Sequence, residues 1–144
     1  MKAMILAAGL GTRLKPFTDH HPKALAIVNG KSLLQRNIEY LQAYGIYEVV
    51  VNVHHFADQI IDTIQKNKGW GSNVSISDES DEVLETGGGL LRAKAHFENE
   101  AKWLVMNADI LTDLDLGKML EADKAFDALS EGEMVATLAV TNRT

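Results

Sequence analysis

Apolar and polar positions along this chain follow two rhythms. Residues 2–8, 48–53 and 102–106 are nearly continuous apolar runs. Runs of that length are strands covered on both faces. Residues 73–77 alternate and read as a further strand, 24–28 as a short apolar strand or extended segment, and 134–140 as a last strand. Between them apolar residues recur every three to four positions, the period of a helix with one buried face. Leu33, Leu34, Ile38 and Leu41 share such a face, with Ser32 placed to cap the helix and Gly45 to close it. Ile60, Ile61 and Ile64 define a helix over 56–66, Leu90, Leu91, Ala93 and Ala95 one that Thr86 opens, and 116–129 reads as a fourth. Strands and helices therefore take turns, the pattern of an α/β fold with a largely parallel sheet. Residues 1–144 show no internal repeat, low-complexity segment or linker, and read as part of one domain.

In such sheets ligands bind outside the carboxyl ends of the strands. Two chemically loaded segments fall at such ends: the loop over residues 9–22 after the first strand, and Asp109 after the apolar run 103–106. Charge singles out the first. The chain carries a formal net charge of −6, yet residues 1–31 hold Lys2, Arg13, Lys15, Lys23 and Lys31 against Asp19 alone. A local basic stretch in an acidic protein suits a small anionic ligand and speaks against nucleic acid. With no cysteine, disulfides, zinc–thiolate sites and cysteine nucleophiles are excluded. The apolar runs are too short to cross a membrane, and the first one meets Gly9, Gly11 and Arg13 too soon for a signal peptide. A cytoplasmic location is the expectation.

The loop reads Leu6-Ala7-Ala8-Gly9-Leu10-Gly11-Thr12-Arg13-Leu14-Lys15-Pro16, followed by Pro22-Lys23. Small residues let the backbone approach a ligand and offer N–H groups to phosphate. Arg13 adds a planar fork and Lys23 a point charge. A dinucleotide fingerprint does not fit, because Leu14 stands where its last small residue belongs and Asn29-Gly30 where its acidic residue belongs. Gly30-Lys31-Ser32 is not a phosphate loop of the Walker type, since Leu25 occupies the position of its first glycine. Three further features draw attention. Gly87-Gly88-Gly89 is costly in a helix unless something approaches closely. Asp109 is placed to face a ligand crevice, whereas Asp113 suits a cap for the helix near Leu116. The pairs His20-His21 and His54-His55 lack metal-ligand spacing, and Trp70 and Trp103 read as packing residues.

Together, Gly-x-Gly-Thr-Arg-Leu-x-Pro with Pro22-Lys23, Leu84-Glu85-Thr86-Gly87-Gly88-Gly89 and Asn107-Ala108-Asp109 resemble the signature of sugar-1-phosphate nucleotidyltransferases, over nearly the whole chain. The resemblance implies a Rossmann-like, three-layer α/β/α fold with a largely parallel, mixed sheet. It implies that Leu6, Ala8, Gly9, Leu10, Gly11, Thr12 and Arg13 wrap a nucleoside triphosphate, with Lys23 on the reacting phosphates. Gly87 and Gly88 would lie against the base, Glu85 and Asn107 would serve the second substrate, and Asp109 would bind Mg2+. Arg13, Lys23 and Asp109 are then the catalytic set. The implied reaction moves a nucleoside monophosphate from UTP or GTP to a sugar 1-phosphate and releases pyrophosphate. The glycine run is most like that of N-acetylmuramate-1-phosphate uridylyltransferases and mannose-1-phosphate guanylyltransferases.

Members of that family are longer chains that ordinarily supply a second metal-binding aspartate and most sugar contacts later in sequence. The expectation is therefore an N-terminal portion that binds nucleotide weakly and turns over poorly. Two alternatives stand beside the enzyme: a phosphocholine cytidylyltransferase, which shares the first motif, and a nucleotide-sensing module that has lost the chemistry. Retention of Arg13, Lys23 and Asp109 favours the enzyme over the sensor. Oligomeric state is not legible.

Overall fold

A computed structural model describes residues 1–82, 84–129 and 135–141. The chain forms two compact units, Met1–Leu111 and Thr112–Thr144. The first unit contains a four-stranded sheet made of β1 (Ala3–Leu6), β4 (Glu48–Val53), β5 (Asn73–Asp78) and β6 (Leu104–Asn107), in the order β5-β4-β1-β6. All three pairings are parallel, with Ala3 opposite Val49 and Leu104. The antiparallel pairing among the described residues is a separate two-residue hairpin of β2 (Ile27–Val28) and β3 (Lys31–Ser32).

The helices of this unit are α1 (Leu33–Ala43), α2 (Ala57–Lys66) and α3 (Thr86–Arg92), the last continued by a 3-10 segment over Ala93–Phe97. Right-handed crossovers put α1 and α2 on one face of the sheet and α3 on the other, because the chain steps from β1 to β4 to β5 and then returns across β1 to β6. Packing agrees: Met4 and Val50 of the sheet bury against Ala93, Phe97 and Leu90. Coverage of both faces explains why Val49, Val50, Val51 and Val53 are all buried in succession. Each such valine is worth about 1.5–3 kcal/mol relative to an exposed one.

Local signals act as expected in α1. The Ser32 Oγ accepts the Gln35 N–H at 3.1 Å. At the other end Gly45 has φ of 76°, its N–H reaches the Gln42 carbonyl, and the Ile46 N–H reaches Leu41. That pair of bonds is the Schellman arrangement, which needs a left-handed residue. Other boundaries differ from the sequence pattern. Phe56 is the N-cap of α2, at φ of 55°, and does not join the helix. The strand or extended segment expected over 24–28 is a 3-10 turn, Lys23–Leu25, followed by the two residues of β2. The long loop is itself built of 3-10 turns at Thr12–Leu14 and Phe17–Asp19.

The second unit contains α4 (Leu116–Leu129). Its cap is Asp115, whose Oδ1 accepts the Lys118 N–H at 3.1 Å. This corrects the assignment of that role to Asp113: a cap must immediately precede the first helical residue, and Asp113 lies too far upstream. The strand expected over 134–140 is not formed by residues 135–140, which have no regular structure. Val135, Leu138 and Val140 are largely exposed, so a strand-like sequence without a ladder to join stays irregular. Met134 lies outside the described residues. No helix among the described residues is long and apolar enough to cross a membrane.

Candidate functional site

The sheet order reverses at β1, so a crevice opens beyond the carboxyl ends of β1 and β6. A cleft of about 660 Å3 occupies that place, within the size range of small-molecule sites. Three segments build its walls: the turn after β1, the stretch from Leu84 into α3, and the residues following β6.

The first wall begins where β1 ends. The buried Ala7 donates its N–H to the Asn52 Oδ1 at 2.7 Å, and the chain then leaves the sheet through Ala8, Gly9 and Leu10. Gly11 makes the turn at φ of 65°. Its carbonyl accepts both the Leu14 N–H and the Thr18 hydroxyl, each at 2.9 Å. A Cβ on Gly11 would stand 2.8 Å from the Thr18 methyl and 3.0 Å from the Lys23 Cβ, so this turn has room for glycine alone. Further on, Gln59 of α2 fastens the loop: its Nε2 donates to the His20 carbonyl at 2.9 Å and its Oε1 meets the His21 Nδ1 at 3.2 Å. The chain thereby returns to the cleft with Lys23.

Lys23 donates to the Asp109 Oδ2, closing an ion pair across 86 residues of sequence. Asp109 is held from behind. The Ala108 N–H extends the β1–β6 ladder to the Leu6 carbonyl, and the Ala108 carbonyl accepts the buried Asn37 Nδ2 at 2.8 Å. Arg13 has no ion-pair partner among the described residues and lines the same cleft, whereas Lys15 pairs with Asp19. Among the described residues the cleft thus offers one unpaired cation and one cation shared with a carboxylate.

Across from them stand Leu84, Glu85, Thr86 and Gly87. Glu85 precedes α3 and its carbonyl accepts the Gly89 N–H at 2.9 Å. The three glycines differ in what requires them. A Cβ on Gly87 meets nothing within 4 Å, one on Gly88 meets the Leu84 side chain at 3.2 Å, and one on Gly89 meets the Glu79 Oε1 at 2.8 Å. Behind this wall the acidic stretch over residues 78–82 is clamped to α3 by a two-pronged Asp81–Arg92 ion pair, with oxygens at 2.7 and 2.9 Å. The Arg92 guanidinium holds the Asp81 carboxyl below its ordinary range, and the Ser80 hydroxyl does the same for Asp78.

Of the residues singled out in sequence, Leu6, Ala8, Gly9, Leu10, Gly11, Thr12, Arg13, Lys23, Glu85, Gly87, Asn107 and Asp109 all line this one cleft. Gly88 does not, and its missing side chain answers to Leu84 instead. Neither histidine pair lines it. His54 Nδ1 meets the Glu79 carbonyl at 2.6 Å, and the His55 ring lies tilted against Phe56. Trp103 stacks on Phe97 at 5.0 Å. Sequence reading passed over Asn52, which lines the cleft, and over Asn37 and Glu79 behind it. Two of these carried a signal: Asn52 interrupts a run of valines in a buried strand, and Asn37 sits among Leu33, Leu34, Ile38 and Leu41 on the buried face of α1. A polar residue at a core position is the informative exception. As a metal site the cleft offers two carboxylates at most, Asp109 and, across from it, Glu85, for no group of three or more His, Cys, Asp or Glu gathers among the described residues. That donor set fits Mg2+ held by one or two carboxylates together with ligand phosphates, and does not fit a metal caged by protein.

The N-acetylmuramate alpha-1-phosphate uridylyltransferase of Caulobacter vibrioides is 41% identical over 122 residues, which cover 83% of this chain and 50% of that protein. The D-glycero-alpha-D-manno-heptose 1-phosphate guanylyltransferase of Campylobacter jejuni is 38% identical over 119 residues, 83% of this chain and 52% of that one. Among solved structures, HddC from Yersinia pseudotuberculosis complexed with GMP-PN superposes with a TM-score of 0.76 at 36% identity, covering 85% of this chain and 53% of its own. The chain spans about half the length of these relatives. A model of the family described as Nucleotidyl transferase matches residues 2–143, and the chain belongs to that family.

Proposed function

We propose that this chain is the nucleotide-binding part of an enzyme that transfers a nucleoside monophosphate from a nucleoside triphosphate to a sugar 1-phosphate, with release of pyrophosphate. The observation that carries the reading is the meeting of Arg13, Lys23, Asn107 and Asp109 around one cleft walled on one side by the glycine turn after β1. An oxygen of the sugar phosphate attacks the α-phosphorus in line, and the bond from that phosphorus to the bridging oxygen of the β-phosphate breaks. The attacking oxygen is already ionised, so no general base is required. What the protein must supply is alignment, worth about 7–11 kcal/mol, and cations to offset the repulsion between two anions. In this reading Arg13 takes the distal phosphates of the triphosphate, and Lys23 turns from Asp109 to the reacting phosphates. Asp109 then helps hold Mg2+, which supplies charge neutralisation at the triphosphate. The N–H groups of Ala8 through Thr12 wrap the phosphates, and Gly87 leaves space for the base. Asn107 and Glu85 serve the sugar phosphate.

Gly9 and Gly87 support the reading, since no protein atom would meet a Cβ at either position. Their lack of a side chain is explained by a cleft kept open for a ligand. UTP or GTP is the proposed nucleotide, UTP first, because the uridylyltransferase relative is 41% identical. The test is release of pyrophosphate by the purified full-length protein with Mg2+, each triphosphate in turn, and a panel of sugar 1-phosphates plus phosphocholine. Release with UTP or GTP and a sugar 1-phosphate is expected. Release with CTP and phosphocholine alone would replace the sugar assignment, and nucleotide binding without release from any pair would indicate a sensing module.

A further inference from the structure

Behind the cleft, Glu79 is fully buried immediately after β5, and its Oε2 has no protein hydrogen-bond partner among the described residues. Its backbone is pinned to the adjoining strand, with the N–H donating to the Val53 carbonyl at 2.8 Å. Its Oε1 accepts the Asn52 Nδ2 at 2.9 Å, and Asn52 Oδ1 in turn accepts the Ala7 N–H at 2.7 Å. An asparagine amide has one acceptor end and one donor end, whereas a carboxylate only accepts. Glu79 therefore dictates which end of Asn52 faces Ala7. If the amide were reversed, two N–H groups would confront each other where the chain leaves β1. The same carboxyl also meets the other wall. Gly89 lies so close that a Cβ there would stand 2.8 Å from Glu79 Oε1 and 3.1 Å from Asn52 Nδ2. A fully buried carboxyl is an expensive way to hold a fold together, and an apolar residue of similar size often serves stability as well or better.

We propose that Glu79 is a positioning residue for the cleft, orienting Asn52 so that Asn52 holds the Ala7 amide, and seating α3 through Gly89. It thereby sets the separation of the glycine turn after β1 from the glycine-rich start of α3. This role in binding rests on the reading that the cleft takes a nucleoside triphosphate. Reversing the polarity of the pair tests it. In Asn52→Asp two carboxyls oppose each other. In the double variant Asn52→Asp with Glu79→Gln, the new amide at 79 donates to the new carboxylate at 52, which still accepts from Ala7. Glu79→Gln alone, of equal volume, serves as the folded control. Two quantities are measured on the 144-residue chain: hydrogen exchange at the Ala7 amide by NMR without ligand, and the dissociation constant for UTP or GTP with Mg2+ by calorimetry. Asn52→Asp is expected to speed Ala7 exchange and weaken nucleotide binding by about tenfold each, with both recovering to within about threefold in the double variant. Exchange at Ala7 that is unchanged in Asn52→Asp, or not restored in the double variant, overturns the relay even if thermal stability recovers. Restored exchange without restored affinity overturns its role in binding. If the unsubstituted chain binds no triphosphate, the functional reading falls and that role with it, while Ala7 exchange still decides the relay.

Discussion

Two glycines two residues apart separate what the fold needs from what a ligand needs. At Gly11 an added methyl meets the Thr18 Cγ2 at 2.8 Å and the Lys23 Cβ at 3.0 Å, on a backbone with φ of 65°. The left-handed conformation costs a non-glycine residue roughly 1–2 kcal/mol. Overpacking adds about 1–3 kcal/mol, because the Lys23 contact is to a Cβ and not to the flexible end of the side chain. Gly11→Ala is therefore expected to lose about 2–5 kcal/mol, a large part of a typical domain's stability. At Gly9 the added methyl meets no protein atom within 4 Å and φ is not in the left-handed region. Gly9→Ala is expected to leave stability unchanged or raise it by up to about 1 kcal/mol through the unfolded chain. It should nonetheless weaken triphosphate binding at least about tenfold if the methyl fills space meant for phosphate, a loss of about 1.4 kcal/mol. Urea unfolding followed by circular dichroism gives the first quantity. At a slope of about 1.5 kcal/mol/M the Gly11 variant's midpoint falls by roughly 1–3 M. Calorimetric titration with UTP or GTP and Mg2+ gives the second. Equal losses of stability in the two variants would refute the steric reasoning. Undiminished binding by Gly9→Ala would refute the placement of phosphate against that turn.

Other substitutions probe separate parts of the structure. Ser32→Ala removes the cap of α1 and is expected to cost about 0.5–2 kcal/mol in urea unfolding without changing nucleotide affinity. Asn37→Leu leaves the Ala108 carbonyl without its donor, at about 1–3 kcal/mol, and should weaken Mg2+-dependent nucleotide binding by shifting Asp109. Asp109→Ala is expected to abolish the Mg2+ dependence of nucleotide binding in calorimetry; persistence of that dependence would remove Asp109 from the metal site. Asp81 and Asp78 have carboxyls lowered by Arg92 and by Ser80 respectively, so their contribution to stability is present above the ordinary carboxylate range and is lost as pH falls through their lowered values. Asp81→Asn should flatten that acid limb in thermal melts, by little, because the pair is largely exposed.

How much of this was legible from residues alone follows from the range over which each determinant acts. Local determinants read well. The period of Leu33, Leu34, Ile38 and Leu41, the cap at Ser32 and the stop at Gly45 specify α1 within a few residues of each other, and the structure has all three. Unbroken apolar runs signalled strands covered on both faces, and the sheet is parallel throughout. The residues that meet in the cleft were also nearly all recognisable, because a glycine turn with Arg13, a Pro-Lys pair and an Asp after a strand is a chemical pattern as much as a structural one.

Tertiary structure alone decided the rest. Residues 135–140 have strand-like composition, but a strand exists only when a neighbour supplies its hydrogen bonds, and sequence does not say whether one does. Three adjacent glycines looked alike in sequence. Contacts with Leu84 and with Glu79 distinguish Gly88 and Gly89 from Gly87, which faces open space. The pairing of Lys23 with Asp109 and the line from Glu79 through Asn52 to Ala7 join residues dozens of positions apart. Sequence supplied the groups that can hold a triphosphate. Their separation across the cleft is set by buried polar contacts between segments, and those contacts exist only once the sheet has brought β1, β4, β5 and β6 side by side.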